Sequence, residues 1–410
     1  PHPRGAHIHS TLSIMPLLQI KIPNQISSSR NPIGYKFYSV NSNWRNVPNY
    51  KVLCTINRET FYRSGIYRQL VQLQTRPDDN DFVSFDLSDI LSSQVPEALR
   101  PSSSTSRIVT DTNRRYEVVF SEVGIGAQLI PTFTDYHVVK SGFSELKGTG
   151  LETYIDDQLF LTNQERVKPT TPYAPEYLSL GIPITQTAAT AQLKAVIMYT
   201  DDTESTPFSG PQRAFNPGDI IQFHAGYNML GLNNITPPVG EQVVGYKLYV
   251  EETTGSTQIS ETQEYRFDRC ECTPLTRYFC FENTFGAIDT LITSGKANTE
   301  IEVEGSTAEK MLDSFRSSPT RSIIDYSIRH RLSAEQPIGY QSTEAQNWLK
   351  ELLISTTVWR VGNTSAPNIE AEGEWIPVSV NRGETTIYQD NEFLNPLSFS
   401  YQEAVYNFGT

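Results

Sequence analysis

Short segments in which apolar and polar residues alternate recur along the whole chain. Successive side chains of a β-strand point to opposite faces of a sheet, so each segment predicts a strand with one buried face. In YKVLCTI, for example, we expect Tyr50, Val52, Cys54 and Ile56 to point into a core. Clusters of Asn, Asp, Gly and Pro separate the segments and favour chain reversals. The sequence therefore predicts antiparallel sheets packed as β-sandwiches.

The chain of 410 residues is too long for one ordinary hydrophobic core, so we predict a mainly β, multidomain protein. Residues 1–14 lack the features of a secretory signal, and we expect the natural start at Met15. The predicted divisions are an upstream or added segment at 1–14, a β-sandwich at 15–124, an ordered connector at 125–183, a second β-sandwich at 184–267, and a carboxy-terminal α+β domain, mostly β, at 268–410.

Three segments depart from simple alternation. FVSFDLSDILSSQV begins like a strand and ends like a helix. STAEKMLDSF opens with a capping-box pattern at residues 306–309, which predicts the start of a helix. TEAQNWLKELLIS places Ala345, Trp348, Leu349 and Leu352 on one helical face, which predicts a second, packed helix. The carboxy-terminal domain is therefore expected to combine strands with one or two helices.

The charge of the chain excludes one broad class of partner. With 33 basic and 46 acidic residues the net charge is −13, which opposes general binding to a phosphate backbone. No apolar run reaches the roughly 18 to 20 residues that a membrane-spanning helix needs. We therefore expect no nucleic-acid partner and no membrane span.

The four cysteines are too sparse for a disulfide scaffold in a chain of this length. Cys270, Cys272 and Cys280 form the one cluster that resembles a metal site. A tetrahedral zinc site usually needs four ligands in paired spacings, and no fourth ligand lies close in the sequence. We expect these thiols to be buried or at a strand edge, and we predict neither a metal nor a cofactor.

No pattern of catalytic residues stands out. His137, His224 and His330 lie outside the GxSxG and HExxH motifs, and no glycine-rich loop for phosphate is present. We therefore predict that the chain is not an enzyme, although a hydrolase with two carboxylates in a cleft stays open at this point. Trp348 and Trp359 are expected in the core.

Exposed aromatic residues give a candidate binding surface. Trp44 lies in the polar turn NSNWRN, and Tyr62 and Tyr67 lie near polar residues in a turn-rich stretch. Aromatic rings of this kind, together with Tyr173, could contact a glycan or a host receptor. This is the sequence feature that favours a carbohydrate-binding surface protein as an alternative function.

Two groups of segments resemble a known class of protein. RYFCFENTFGAIDTLITS and AQNWLKELLISTTVWRV resemble the carboxy-terminal part of tail-associated structural proteins of Bacteroidetes phages and prophages. SSSRNPIGYKFYS, YKVLCTI and FDLSDILSS resemble the fibronectin type III-like modules of such proteins. The resemblance implies that both sandwiches are fibronectin type III-like.

The resemblance also implies a function and a location. Such proteins are components of a tail tip, a baseplate or a fibre attachment, so we expect a virion tail protein that assembles with other tail or virion proteins. Symmetric self-association as a ring or a trimer is expected as well. The resemblance transfers no catalytic residue to this chain.

Overall fold

The computed structural model describes residues 18–38, 47–99, 105–123, 128–142, 150–267, 276–309, 323–341, 343–361, 375–382, 395–405 and 407–408. The described chain is mostly β, which confirms the predicted fold class. Its helices are α1 (Ser88–Ser92), α2 (Leu151–Asp156) and α3 (Thr343–Ile354), with a short 3-10 helix at Leu232–Asn234. None of the helices in this part of the chain has the length and apolar character needed to cross a membrane.

The strands follow one another with few helices between them. The first nine are β1 (Leu18–Lys21), β2 (Ile26–Ser28), β3 (Gly34–Tyr38), β4 (Lys51–Glu59), β5 (Tyr67–Thr75), β6 (Phe82–Asp86), β7 (Ser106–Ile108), β8 (Asn113–Val123) and β9 (Gln128–Val139). The next eight are β10 (Val167–Thr170), β11 (Tyr177–Gly181), β12 (Ala189–Tyr199), β13 (Phe208–Phe215), β14 (Ile220–His224), β15 (Val243–Glu252), β16 (Thr257–Gln258) and β17 (Gln263–Phe267). The last are β18 (Arg277–Glu282), β19 (Ile288–Thr293), β20 (Asn298–Glu309), β21 (Ile323–Gln341), β22 (Val358–Val361), β23 (Trp375–Val380), β24 (Asn395–Glu403) and β25 (Asn407–Phe408).

The chain forms two compact units, and each is interrupted in sequence. The first consists of Pro1–Val95 and Asn113–Val139, and the second of Pro96–Thr112 and Lys140–Thr410. The sequence placed the end of the first sandwich near residue 124, but β9 pairs with β8 and completes the first unit. It also left β7 within the first sandwich, whereas β7 pairs with β14 in the second unit. The first difference arises because the sheet continues past residue 124 into the neighbouring strand β9, and the second because β7 and β14 pair although they are distant in the sequence.

The first unit is a sandwich of two sheets. A five-stranded sheet in the order β2-β9-β8-β4-β5 packs on a three-stranded sheet in the order β1-β3-β6. The predicted inward face of β4 is confirmed, because Tyr50, Val52, Cys54 and Ile56 are all buried in the shared core. The ring of Phe120, on β8, lies 4.5 Å from that of Phe37, on β3, and so joins the sheets.

The second unit begins with another sandwich. One sheet has the order β10-β17-β15-β12-β13, with β16 beside β15, and the other has the order β11-β14-β7. Leu193, Ile197 and Leu248 of the larger sheet meet Leu180 and Phe223 of the smaller sheet in one buried core. The alternating segments AQLKAVIMYTD, GDIIQFHAGYNML and VVGYKLYVEE supply β12, β14 and β15 of the sandwich predicted at 184–267.

The carboxy-terminal part of the second unit is an eight-stranded sheet with one packed helix. The strand order is β19-β18-β22-β23-β24-β21-β20, with β25 beside β21. Trp348, Leu349 and Leu352 of α3 pack against Phe281 and Phe399 of this sheet. The predicted helix with an apolar face is therefore confirmed. The apolar side of this amphipathic helix covers the sheet.

The helix predicted from the capping box at residues 306–309 is wrong in its first turn. These four residues end β20, where Glu309 lies opposite Ile323 of β21. Pairing along a 12-residue strand overrides a local capping preference because the interstrand partners outnumber the one capping interaction. The remainder of that predicted helix, residues 310–315, lies outside the described residues.

Candidate functional site

Two long strands at one end of the eight-stranded sheet form a ribbon, here called the arm. It consists of β20 and the residues of β21 that pair with it, 323–335. On one face the opposed pairs are Ile301 with Leu332, Val303 with His330, and Gly305 with Ile328. Ile301, Val303 and Ile328 are 59%, 57% and 45% exposed, respectively. The arm therefore presents an apolar face that the described part of the chain leaves open to solvent.

The opposite face of the arm carries charge. Arg331 Nε donates to Glu302 Oε2 at 2.5 Å, and Arg329 Nη2 lies 2.6 Å from Glu304 Oε2. The hydrogen bond from Arg331 lowers the pKa of Glu302. Both pairs are on the surface, where such contacts stabilise a fold only slightly. Their main effect is to fix which face of the ribbon is polar and which is apolar.

The arm continues a strand that is fixed within the sheet. β21 also pairs with β24, from Ser333 opposite Gln402 to Gln341 opposite Asn395, and this pairing overlaps the arm at residues 333–335. Ala334 and Ile338 of β21 are buried in the core beneath α3. Residues 300–304, EIEVE, alternate between acidic and apolar side chains, and they form part of β20. Nothing in the pattern of this segment indicates that its apolar face stays exposed.

A second group of functional-type side chains is buried within the second unit. We call it the buried acidic cluster, and its members are Lys168, Glu176, Asp289 and Glu351. Lys168 Nζ donates to Glu176 Oε2 and to the backbone oxygen of Thr290, both at 2.6 Å. Glu176 and Asp289 thus have the charge of Lys168 nearby, and Asp289 in turn lies near Glu351. Sequence reasoning did not find this cluster, because its members come from distant segments.

Indole and amide donors complete the buried acidic cluster. Trp348 Nε1, on α3, donates to Asp289 Oδ2 at 2.7 Å, and Thr162 Oγ1 donates to the same oxygen at 2.8 Å. Asn163 Nδ2 donates to Glu351 Oε1 at 2.5 Å. These contacts join α3 and β19 to the loop before β10. The cluster therefore ties the sandwich of the second unit to its eight-stranded sheet.

Burial changes the protonation of the cluster. Burial, reinforced by the nearby charge of Asp289, raises the pKa of Glu351 to about 7. Burial also raises the pKa of Asp289, against the opposing effect of the Trp348 hydrogen bond. The pKa of Glu176 rises on burial too, and Lys168 opposes that rise. The cluster can hold a proton near neutral pH, which reduces the cost of burying several acids together.

The residues Tyr62 and Tyr67, predicted as a binding surface, lie at one hairpin of the first unit. We call residues 60–66, which join β4 to β5, the β4–β5 loop. Phe61 and Ile66 of this loop are 77% and 64% exposed. Tyr62 is half-buried and accepts a hydrogen bond from Asn113, 3.3 Å away. Tyr62 and Tyr67 are both only partly exposed, so Phe61 and Ile66 provide the more exposed apolar surface.

Glu59 holds the β4–β5 loop in place. This buried carboxylate accepts from the backbone N–H of Arg63 at 2.8 Å and of Gly65 at 2.7 Å. It also accepts from Arg115 Nη1 at 3.0 Å. Arg63 and Gly65 both have positive φ angles, of 61° and 66°, and glycine adopts this conformation without steric cost. The loop is thereby preorganised with Phe61 outside.

A neutral histidine lies beneath the same loop. Burial, together with the charges of Arg115 and Arg63, lowers the pKa of His137 to about 3. His137 Nδ1 lies 3.0 Å from Asn113 Oδ1. His137 is buried, which agrees with a structural role. The hydroxyl of Tyr67 is buried and has no hydrogen-bond partner among the described residues.

The remaining predicted site residues do not come together in the described chain. Cys280 is buried on β18 with Sγ 3.5 Å from Thr290 Oγ1, and burial raises the pKa of its thiol to about 12. Cys270, Cys272 and Trp44 lie outside the described residues. Within the described ranges, no three His, Cys, Asp or Glu side chains are arranged to hold a metal ion.

Comparisons with known proteins do not assign a family. No family model matches the chain, and no curated protein matches it. Solved structures with partial similarity include a trypsin-activated alpha-2-macroglobulin from Escherichia coli, at 7% identity and a TM-score of 0.18 over 80% of this chain. They also include the beta-glucuronidase 2 of Bacteroides uniformis, at 12% identity and a TM-score of 0.15 over 64% of this chain. The extracellular region of plexin A4 matches over 92% of this chain, at 9% identity and a TM-score of 0.20.

The chain spans 19% of the macroglobulin, 28% of the glucuronidase and 35% of the plexin. TM-scores this low carry no conclusion about fold relationship or function.

Proposed function

We propose that this protein is a structural component of a phage or prophage tail, at a tail tip, a baseplate or a fibre attachment. It acts by assembling with other tail or virion proteins, and it self-associates as a ring or a trimer. The observation that carries the proposal is the exposed apolar face of the arm. The resemblance of the carboxy-terminal segments to tail-associated structural proteins supports the choice of assembly.

The physical reason lies in the stability of the arm. A ribbon of few strands is marginally stable in water when its apolar face is uncovered. Contiguous apolar surface on a folded protein commonly marks an interface. Ile301, Val303 and Ile328 form such a surface, and the Glu302–Arg331 pair keeps the opposite face polar. Covering the apolar face with another protein would therefore stabilise both the arm and the assembly.

The test is to measure the mass of the full chain in solution, by light scattering coupled to size exclusion, over a wide concentration range. We expect an oligomer, or incorporation into purified tail particles. The double substitution of Ile301→Ser and Val303→Ser should abolish oligomer formation or incorporation into tail particles, whichever is observed, without changing the circular dichroism spectrum. Val239→Ser is the matched control, since Val239 is a fully exposed apolar residue elsewhere in the second unit.

A strict monomer at high concentration that also fails to join tail particles contradicts the proposal. Assembly that survives the double substitution contradicts the role of the arm.

A second candidate function is carbohydrate binding through the β4–β5 loop. The specific observation is that Glu59 preorganises this loop with Phe61 exposed beside Tyr62. Rigid aromatic side chains next to polar groups suit the faces and hydroxyls of sugars. A glycan array tests it: binding that Phe61→Ala removes supports this function, and no binding at high micromolar protein contradicts it.

A further inference from the structure

The outer edge of β20 is the starting point for an inference that rests on the proposed function and specifies the partner. Among the described strands, β20 ends the order of its sheet, and none pairs with its outer edge. Such an edge presents backbone N–H and C=O groups that can bind an added strand. The edge extends over Asn298–Glu309, a length of 12 residues.

β21, which pairs with the inner edge of β20, indicates which side chains a strand on the outer edge should carry. β21 places Arg329 and Arg331 opposite Glu304 and Glu302 on the charged face. It places Leu332 opposite Ile301 on the apolar face. Directly opposed side chains are the pairs that stabilise a sheet. A strand on the outer edge would lie beside the same alternating side chains of β20. It should therefore also place cations on the charged face and apolar side chains on the apolar face.

The charges of β20 restrict the occupant further. Glu300 is exposed and lies opposite Ser333, which carries no charge to balance it. A carboxylate has two acceptor oxygens, and Glu302 accepts from Arg331 at only one of them in the described contacts. Cationic side chains on an added strand would therefore find acceptors at both positions.

A second copy of β20 is a poor occupant. Antiparallel pairing of β20 with itself, centred on Glu302, would set Glu300 of one copy opposite Glu304 of the other and the two Glu302 side chains opposite each other. Like charges on directly opposed positions destabilise a strand pair. The occupant is therefore a strand of different sequence.

We propose that the outer edge of β20 binds an extended segment of a partner protein in which apolar residues alternate with Lys or Arg. The segment adds a strand to the eight-stranded sheet. Its apolar side chains continue the face of Ile301 and Val303, and its cations lie beside Glu300 and Glu302.

The experiment measures binding of labelled synthetic peptides to the full chain by fluorescence anisotropy. The first peptide alternates Val with Lys, the second has the same residues arranged in blocks, and the third replaces each Lys by Glu. We expect the alternating Val-Lys peptide to bind at least about tenfold more tightly than the block peptide, because only alternation places all cations on one face. The Glu peptide should not bind.

A charge reversal tests the site itself. Glu300→Lys should weaken binding of the Val-Lys peptide by about tenfold and create measurable binding of the Glu peptide. The control is Asp156→Lys, which changes the net charge by the same amount at an exposed position on α2. Circular dichroism verifies that both variants are folded.

Several outcomes would overturn the inference. Equal binding of the alternating and block peptides means general charge attraction, and an unchanged preference in Glu300→Lys means that the peptide binds elsewhere. Self-association of the chain through β20, with no peptide binding, assigns the edge to a second copy. If the chain joins tail particles but binds no peptide, this inference fails and the proposed function stands. Peptide binding without any assembly supports the edge site and contradicts the proposed function.

Discussion

Glu351 is the residue whose protonation should matter most for this protein. It is buried on α3, and its carboxylate accepts from Asn163 and from the backbone N–H of Thr284. Its pKa is raised to about 7, chiefly by burial and then by Asp289. A carboxyl group with a raised folded-state pKa binds its proton more tightly when the protein is folded. Its contribution to stability is therefore present at low pH and lost as the pH rises through about 7.

The first prediction concerns the substitution of Glu351→Gln. In the natural protein, the free energy of unfolding of the second unit should fall between about pH 4.5 and pH 7 because of Glu351. One pKa unit corresponds to about 1.4 kcal/mol, so a fall on the order of 3 kcal/mol is expected. Glu351→Gln should flatten the profile by a similar amount. Urea unfolding at several pH values measures it.

Glu300→Gln is the control for Glu351→Gln, because Glu300 is an exposed acid on the arm. If both variants keep the slope of the natural protein, Glu351 does not titrate in this range.

Lys168 is the second residue with a specific expectation. Its ammonium lies 2.6 Å from Glu176 Oε2 and belongs to the same buried group. Lys168→Met should lower the free energy of unfolding by about 3 to 5 kcal/mol, because it leaves a buried carboxylate without its cation. Adding Glu176→Leu should restore part of that loss, since no uncompensated charge remains. Denaturant unfolding of the two single variants and the double variant measures this coupling.

Strictly additive losses in that cycle would show that Lys168 and Glu176 are not coupled.

At the scale of elements, the β4–β5 loop depends on one buried acid. Glu59→Ala removes the acceptor for the N–H groups of Arg63 and Gly65 and for Arg115. We expect the first unit to lose about 1 to 3 kcal/mol, as is usual when buried donors lose their acceptor. Amide hydrogen exchange at Arg63 and Gly65 should become faster. Gln72→Ala, an exposed change on β5, is the control and should leave both amides protected.

Unchanged exchange at Arg63 and Gly65 in Glu59→Ala would mean that the backbone of the β4–β5 loop holds its conformation without the carboxylate.

β4 and β20 have the same alternation of apolar and polar residues, but their apolar faces have different surroundings. In β4 the apolar positions face a core, whereas in β20 Ile301 and Val303 face solvent. Both segments have a period of two, and only the presence of a covering layer differs. The alternation predicted both strands correctly. The alternation could not predict that β20 would lie beyond the part of the sheet that packs against α3.

At the scale of the whole molecule, the two compact units do not coincide with simple sequence blocks. We predict that a fragment of residues 15–124 does not fold, because it lacks β9. That strand supplies Tyr136 and Val138 to the core and pairs with both β8 and β2. A fragment of residues 15–142 contains β9 and should fold cooperatively. Circular dichroism and the dispersion of amide NMR signals distinguish the two.

A cooperatively folded fragment of residues 15–124 would show that β9 is not needed to complete the first unit.

The sequence by itself determined the fold class, most strands and the helix α3. These properties follow from the periods of two and 3.6 residues, which are local and can be read from a short window. It also identified the buried face of β4 and the packing of Trp348. The burial of such residues requires only that their strand or helix packs against a core, whichever strands form that core.

Only the tertiary structure decided which segments share a sheet and which polar groups share a site. β7 joins β14 across more than a hundred residues, Lys168 lies near Asp289, and Asp289 lies near Glu351 in the same buried cluster. Such groupings depend on how complementary surfaces pack once the strands exist, and no short window of sequence contains that information. The same limit applies to the arm, where burial or exposure of an identical pattern depends on what lies beside it.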